Sequence, residues 1–355
     1  MSLARALTYA FLTIAGLGLL DEVAARLSDR AQFGIPLLAA PDFTADLVLR
    51  DSLGPRGKPN GHFQKWILNS AGFRSSEAAL TPVPGCVRVM TLGSSETFGL
   101  TAESPGHEYP AQLADSLRGH GCYQVLNAGM AGIGLPSMIR LWNRWASRFR
   151  PDIVVITPNP ILYLADQSPA PDTSAQSAPP WWTSRMLGKL RDALPYPDVL
   201  HEWVLERQLD DLTWRHAADW QYQTVPVGRL DRFRRDLDSL VTTVSSRGAR
   251  PVLAAAAIRV GRTVAPGDRL DLEELRLFSA RAPTAVALAF DSAAAGVVVA
   301  LGQRTGAPVV DLPAVMNGRS ALFSDAIHYT DAGAAVVAGQ VSRVIEGMTP
   351  GRERP

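Results

Sequence analysis

The chain predicts an α/β protein of three layers, a five-stranded parallel sheet between two layers of helices. Three observations predict it. Five apolar runs, at 87–92, 123–127, 152–157, 251–257 and 307–311, read as strands. Segments at 107–119, 136–149, 228–247, 271–305 (broken near Pro283) and 332–346 read as helices and alternate with them. That alternation implies a parallel sheet covered on both faces. Several runs end in a turn built on glycine or asparagine, and in a parallel sheet such ends share one edge, where sites form.

The elements follow in order. Residues 1–30 form an N-terminal hydrophobic helix: Ala6 to Leu20 is almost wholly apolar, with Arg5 before it and Asp21-Glu22 after it. A membrane span needs about 20 apolar residues, so this stretch is short. It reads either as a single retained membrane anchor or as a signal segment cleaved after Val23-x-Ala25. Charged residues at 21 and 22 sit badly before a cleavage point and favour the anchor. Arg5 against Arg26 and Arg30 gives little orientation signal. Residues 31–84, rich in Gly, Pro and turn formers, form a lead-in with little periodicity, and Asn69-Ser70-Ala71-Gly72-Phe73-Arg74 is its packed final loop. Residues 85–348 form the α/β domain, interrupted by an insertion at 165–227. The insertion opens on Ser, Pro, Ala and Gln, a flexible composition. It then carries Trp181, Trp182, Trp203, Trp214 and Trp220. These read as a lid or a platform for an acyl or sugar group, or as packing for a small helical insertion or a membrane interface. Thr330 is placed to cap the last helix, with His328 in the loop before it.

Two distant segments carry the chemistry. Val89-Met90-Thr91-Leu92-Gly93-Ser94-Ser95-Glu96-Thr97-Phe98-Gly99 is a strand entering a glycine-bounded turn that holds a serine. Ser324-Asp325-Ala326-Ile327-His328 sets a carboxylate three residues before a histidine. A serine hydroxyl is a weak nucleophile until a base takes its proton, and the base needs an orienting group. Two further strands, ending at Gly129-Met130-Ala131-Gly132 and at Thr157-Pro158-Asn159, deliver a backbone N–H and a side-chain amide to the same edge. Both suit an oxyanion. Taken alone, Gly132 is also what a tight helix entry requires, and Asn159 what a turn before Pro160 requires.

Competing motifs are poor. Thr97 fills the last position of Gly-x-Ser-x-Gly, against the α/β-hydrolase turn. No P-loop, dinucleotide loop or zinc-type His/Cys spacing occurs, so no cofactor or metal is expected. His62, His107, His120, His201 and His216 lack such context. The formal charge of +1 gives no reason to expect nucleic acid. The arginines at 140–150 and 229–235 read as solvated helix faces.

In this order and at these spacings the four blocks resemble those of the SGNH (GDSL-like) hydrolases, and some members similarly carry an N-terminal anchor. The resemblance covers about residues 85 to 345. It implies a flavodoxin-like sheet, Ser95 as nucleophile, Asp325 and His328 completing a triad, and the Ser95 N–H, Gly132 N–H and Asn159 amide as oxyanion hole. Two positions depart from the family pattern: Ser94 stands where an Asp usually precedes the serine, and Pro160 where an Asp usually follows the asparagine. Ser94 is the alternative nucleophile.

The chain has two cysteines, each just before a predicted strand: Cys86 before the strand to Ser95, Cys122 before the strand to Gly132. If those strands are parallel neighbours about 4.8 Å apart, the two fall within disulfide range. Otherwise they are two separate thiols. A disulfide implies an oxidising compartment. The expectation is therefore an ester hydrolase on the extracytoplasmic (periplasmic) side of the cell membrane, or a secreted one if the segment is cleaved. Its substrate would be a small acyl ester, acetyl above all, on a carbohydrate. The alternatives are an O-acyltransferase acting on an exported polysaccharide, and a non-catalytic anchored binding or assembly protein.

Overall fold

A computed structural model describes residues 3–39, 42–51, 54–165, 180, 182–193, 198–214, 216–261, 264 and 268–348. The chain opens with one helix, α1 (Leu3–Phe33), longer than the apolar stretch alone predicts. By length and composition it is able to cross a membrane. Leu7, Phe11, Ile14, Leu17 and Leu20 on its first part are each more than half exposed. The lead-in holds more structure than its sequence predicts. After α2 (Phe43–Leu47), β1 (Val48–Asp51) pairs antiparallel with β2 (Gly54–Gly57), and β3 (His62–Phe63) with β4 (Trp66–Ile67). Strands of two to four residues are too short to display a period of two.

The predicted alternation follows. In chain order come β5 (Val87–Gly93), α3 (Ser95–Phe98), α4 (Tyr109–Leu117), β6 (Tyr123–Asn127), α5 (Leu135–Arg144) and β7 (Ile153–Thr157). The insertion holds α6 (Arg185–Ala193) and α7 (Asp198–Thr213). The domain resumes with α8 (Val227–Ser246), β8 (Arg250–Ala255), α9 (Arg269–Leu277) and α10 (Thr284–Thr305). It closes with β9 (Val309–Asp311), α11 (Leu312–Met316) and α12 (Asp331–Met348). Pro283 separates α9 from α10 as the N-cap of α10.

The sheet is five-stranded in the order β6-β5-β7-β8-β9, every neighbouring pair parallel. This is the flavodoxin-like order, which reverses direction beside the first strand and leaves a crevice at the carboxyl ends there. Alternation along the strands builds two cores. Met90, Leu92, Val154, Ile156 and Leu253 face one side with Trp142 of α5, Phe233 of α8 and Phe290 of α10. Val89, Ile153, Val155 and Val252 face the other with Leu113 of α4 and Val337 and Val341 of α12. Each such side chain, fully buried, contributes about 1.5–3 kcal/mol relative to exposure. The apolar sequence of α10 thus serves the core: Val286, Phe290, Ala294, Val298 and Leu301 are buried.

Within the insertion, residues 166–179, 181, 194–197 and 215 lie outside the described residues. α6 packs against α1 and α7 against α9, the latter with ion pairs from His201 to Glu274 at 3.3 Å and from Arg269 to Glu202. Trp182, Trp203 and Trp214 are exposed, and Trp220 stacks on His216 at 3.8 Å.

Val87 pairs with Tyr123 in the parallel register, so the residues just before them are neighbours. Cys86 and Cys122 are joined by a disulfide there, with Cα atoms 4.5 Å apart and 36 residues of separation. The chain-entropy treatment values a loop of that length at about 3–4 kcal/mol. Cys86→Ser is expected to lower unfolding stability by that amount in guanidinium titrations under oxidising conditions, and the wild type should match it once reduced. Equal stability of wild type and variant would remove the bond from the stabilising set.

Candidate active site

The site begins where β5 ends. At Gly93 an added Cβ would lie 1.9 Å from Thr97 Oγ1, so only glycine lets the chain turn back on itself here. Gly129, at the end of the β6 turn, has the same constraint: its Cβ would lie 2.8 Å from the Phe98 N atom. The turn leads into the single helical turn α3, whose first residue is Ser95 and whose end is Gly99 in the left-handed region at φ 79°.

Lead-in and neighbouring strands hold this turn from below. The Arg74 guanidinium donates to the Phe98 and Gly99 carbonyls at 2.7 and 2.6 Å and pairs with the buried Glu108 carboxylate at 3.0 Å. Asn127, at the end of β6, donates from Nδ2 to the Thr97 carbonyl at 3.0 Å and accepts the Gly129 N–H at 3.0 Å. Thr97, Tyr109 and Thr157 share hydroxyl contacts at 3.4 and 3.2 Å behind the serine.

His328 comes from the loop before α12. Asp325 Oδ1 accepts the N–H groups of Ile327 and His328 at 2.9 and 2.8 Å, which folds the loop around the carboxylate. Asp325 Oδ2 lies 2.6 Å from His328 Nδ1, and His328 Nε2 lies 2.8 Å from Ser95 Oγ. The Ala326 carbonyl accepts from Arg259 N beyond β8 at 2.9 Å, tying this loop to the sheet. Thr330 caps α12, its Oγ1 accepting the Gly333 N–H at 3.1 Å. Ser95, Asp325 and His328 thus form one hydrogen-bonded line, and Ser95 and His328 are buried. Ser94, also buried, is the N-cap residue of α3 without a side-chain cap bond.

The candidate oxyanion donors stand at the same edge. Among the described residues the backbone N–H groups of Ser95 and Gly132 make no turn or cap hydrogen bond, and Gly132 adopts φ 77°. Asn159 serves as a turn residue as well: its Oδ1 accepts the Ile161 N–H at 3.1 Å and caps the short 3₁₀ turn 160–163. Its Nδ2 donates to the Glu96 carboxylate. An amide nitrogen carries two N–H donors, so one remains.

Glu96 is the participant that the sequence reading passed over. A Glu in the first turn of a helix ordinarily faces solvent, where it complements the helix dipole. Here it is buried. Burial pushes its carboxyl above the usual carboxylate range, opposed by the charge of His328, its own N–H and the Ser95 hydroxyl. Around His328, burial opposes the charged form. The hydrogen bond and charge of Asp325, with the charge of Glu96, outweigh it, and the imidazole is held above its ordinary value. Burial likewise works against charge on Asp325, but its bonds to His328 and the loop N–H groups hold it below the ordinary value. Phe278, the C-cap of α9, has its ring 6.0 Å from the imidazole, and Glu274 of α9 acts on Asp325 as a like charge beside His201 and Arg259.

The cavity bordering Ser95, Glu96, Tyr109 and Tyr329 holds about 10 Å³, room for roughly one water. A cleft of about 410 Å³ is lined in part by the Arg74–Glu108 pair, and one of about 250 Å³ by Ile258, Asp291 and Asn317. Among the described residues no cluster of His, Cys, Asp and Glu is arranged to hold a metal ion.

No family model and no curated relative matches the chain. Among solved structures it is similar to a lipase/acylhydrolase from Enterococcus faecalis, at 15% identity over 75% of this chain and 98% of that one, with a TM-score of 0.45. It is also similar to a catalytic mutant of an acetylxylan esterase from Geobacillus stearothermophilus, at 16% identity over 73% and 94%, with a TM-score of 0.44. Likeness this distant assigns no activity, which has to be argued from the site.

The charge of Glu96 beside His328 generates a prediction. In Glu96→Gln the imidazolium loses a negative neighbour, so its pKa should fall toward the ordinary histidine value. Proton NMR titration of the imidazole signals measures it directly. An unchanged or higher value would mean that Glu96 carries no charge in the folded protein.

Proposed function

We propose that the protein is a serine ester hydrolase of the SGNH type. The observation that carries this reading is the line Asp325 Oδ2–His328–Ser95 Oγ, at 2.6 and 2.8 Å, on the carboxyl edge of the sheet. Ser95 Oγ attacks the ester carbonyl while His328 Nε2 takes its proton. Asp325 holds the imidazole by Nδ1 and stabilises its charged form. The negative oxygen of the tetrahedral intermediate is held by the N–H groups of Ser95 and Gly132 and the remaining Asn159 N–H. His328 then returns the proton to the leaving alcohol, and a water activated by the same imidazole releases the acid. These groups complete the cycle without a cofactor.

The substrate in this reading is a small O-acyl ester, acetyl above all, on a cell-envelope or exported saccharide. α1 anchors the protein to the membrane with residues 85–348 on the extracytoplasmic side, and the Cys86–Cys122 disulfide supports an oxidising compartment. Burial of both Ser95 and His328, which limits water at the acyl-enzyme, favours a second reading: transfer of the acyl group to a sugar hydroxyl.

An aryl-ester series from acetyl to long acyl, with and without a saccharide acceptor, tests these readings. Ser95→Ala should lose about 10³-fold or more in turnover with its fold intact. Activity that survives Ser95→Ala but not Ser94→Ala moves the nucleophile by one residue. Acyl transfer to the acceptor selects the transferase, and preference for long chains overturns the saccharide substrate. A wild type inert to all esters and to a fluorophosphonate probe leaves a non-catalytic binding protein.

A further inference from the structure

α1 is not a free tether. Its last part is clamped to the insertion. Glu22 accepts hydrogen bonds from Ser184 Oγ, Arg185 N and Met186 N at 2.8, 3.2 and 3.0 Å, so a residue of α1 caps the start of α6. Arg26 donates to the carbonyls of Leu37 and Thr183 at 2.6 and 3.1 Å. Asp29, buried, pairs with Arg185 at 3.4 Å and Lys189 at 2.7 Å. Arg185 in turn donates to the Pro36 and Ala39 carbonyls at 2.8 and 2.5 Å.

The level of this clamp along α1 matters. The apolar stretch Ala6 to Leu20 rises about 22 Å at 1.5 Å per residue, less than the roughly 30 Å of a bilayer's hydrocarbon, so with Arg5 at one boundary Leu20 lies at or just inside the other. Glu22 is two residues further on, about 3 Å along the axis. The first residues of α6 therefore stand where the apolar stretch of α1 ends. There the insertion exposes large apolar side chains: Trp182 at 67%, Leu187 at 58% and Leu190 at 47%. The face of α6 that holds Arg185 and Lys189 turns to Asp29, and Leu187 and Leu190 lie away from it. Tryptophan is enriched at the headgroup level of membranes, and the exposed apolar side chains of an amphipathic helix are suited to insert at that level.

We propose that Trp182 and α6 form a platform that rests in the lipid interface beside α1, fixing the orientation of the domain above the bilayer. The occupant is the bilayer because Trp182 and Leu187, both exposed, flank the Glu22 clamp, which lies where the exposed apolar stretch of α1 ends. The proposal rests on reading α1 as a membrane segment, and its test separates the two.

The full chain, with single cysteines added at Leu12, Leu187 or Arg118, is labelled with an environment-sensitive fluorophore and reconstituted in phosphatidylcholine/phosphatidylglycerol vesicles containing spin-labelled lipid, the label placed deep in the acyl chain to read Leu12 and shallow to read Leu187, with both applied to Arg118. Leu12 reports the anchor, Leu187 the platform, and Arg118, exposed on the sheet domain, the water phase. The proposal expects Leu12 and Leu187 both quenched several-fold more than Arg118. Quenching at Leu12 with Leu187 equal to Arg118 overturns the platform and leaves the anchor. No quenching at Leu12 overturns the anchor and the platform with it. A blue shift at Leu187 that grows with protein concentration but resists lipid quenching gives the face to a second copy, and also overturns the proposal. In the double variant Glu22→Gln/Asp29→Asn the clamp is weakened, so quenching should fall at Leu187 and persist at Leu12. Equal loss at both sites, or no loss at either, removes the clamp from the orienting role.

Discussion

The structure depends on one steric constraint, the turn at the end of β5. Gly93 has no space for a side chain between Thr97 and the Thr157 carbonyl of the next strand. That tightness reverses the chain within a few residues and lifts Ser95 to the crevice where the strand order changes direction. The parallel register then delivers Asn127 and Asn159 to the same edge, because β6 and β7 pair with β5 on either side. Asn127 holds the serine turn through Thr97, and Asn159 reaches Glu96. Several Cβ-sized collisions thus act together as a positioning device, and no single strong bond is required.

Buried charge is the second theme. Burial lowers the Arg74 pKa and raises that of Glu108, and each partner's charge opposes the effect of burial on the other. Removing one partner of such a pair costs about 3–5 kcal/mol, whereas the intact pair adds little net stability. What the pair contributes is placement, since Arg74 takes the last two carbonyls of the serine turn. The line of Asp325, His328 and Ser95 uses the same principle in reverse. Asp325 is drawn below its ordinary pKa by its hydrogen bonds, and its charge holds the imidazole above the ordinary value.

The fold was legible because the α/β alternation has long elements with continuous apolar runs. The five predicted strands and the main helices of 85–348 appear within a few residues of their expected bounds. The four blocks of the site were legible because each is a short local pattern at a strand end or helix start. Four features were not legible, for different reasons. The lead-in strands are too short to carry a period. Arg74 lies in a recognisable loop, but its contact with α3 joins segments 24 residues apart through tertiary packing. Glu96 stands in plain view beside Ser95, and only the close approach of β7 and the histidine loop turns an apparently exposed first-turn acid into a buried one. Asp21 and Glu22 were read through lipid alone, whereas Glu22 has a partner in the insertion 162 residues away.

The hydrogen-bond count at Asn159 bears on the departures from the family pattern. Pro160 removes an acid where the resemblance has one, and Ser94 removes another. The amide of Asn159 nevertheless has both ends fixed, Oδ1 by the Ile161 N–H and Nδ2 by Glu96. The two bonds set which end is oxygen and which is nitrogen. An amide held that way has one N–H left to offer and little freedom to rotate, which is what a preorganised oxyanion donor needs. An acid absent at position 160 is thus supplied in space from position 96, at the cost of a carboxylate buried beside the imidazole. Where Glu96 is charged, it adds to Asp325 in holding the His328 imidazole above its ordinary value.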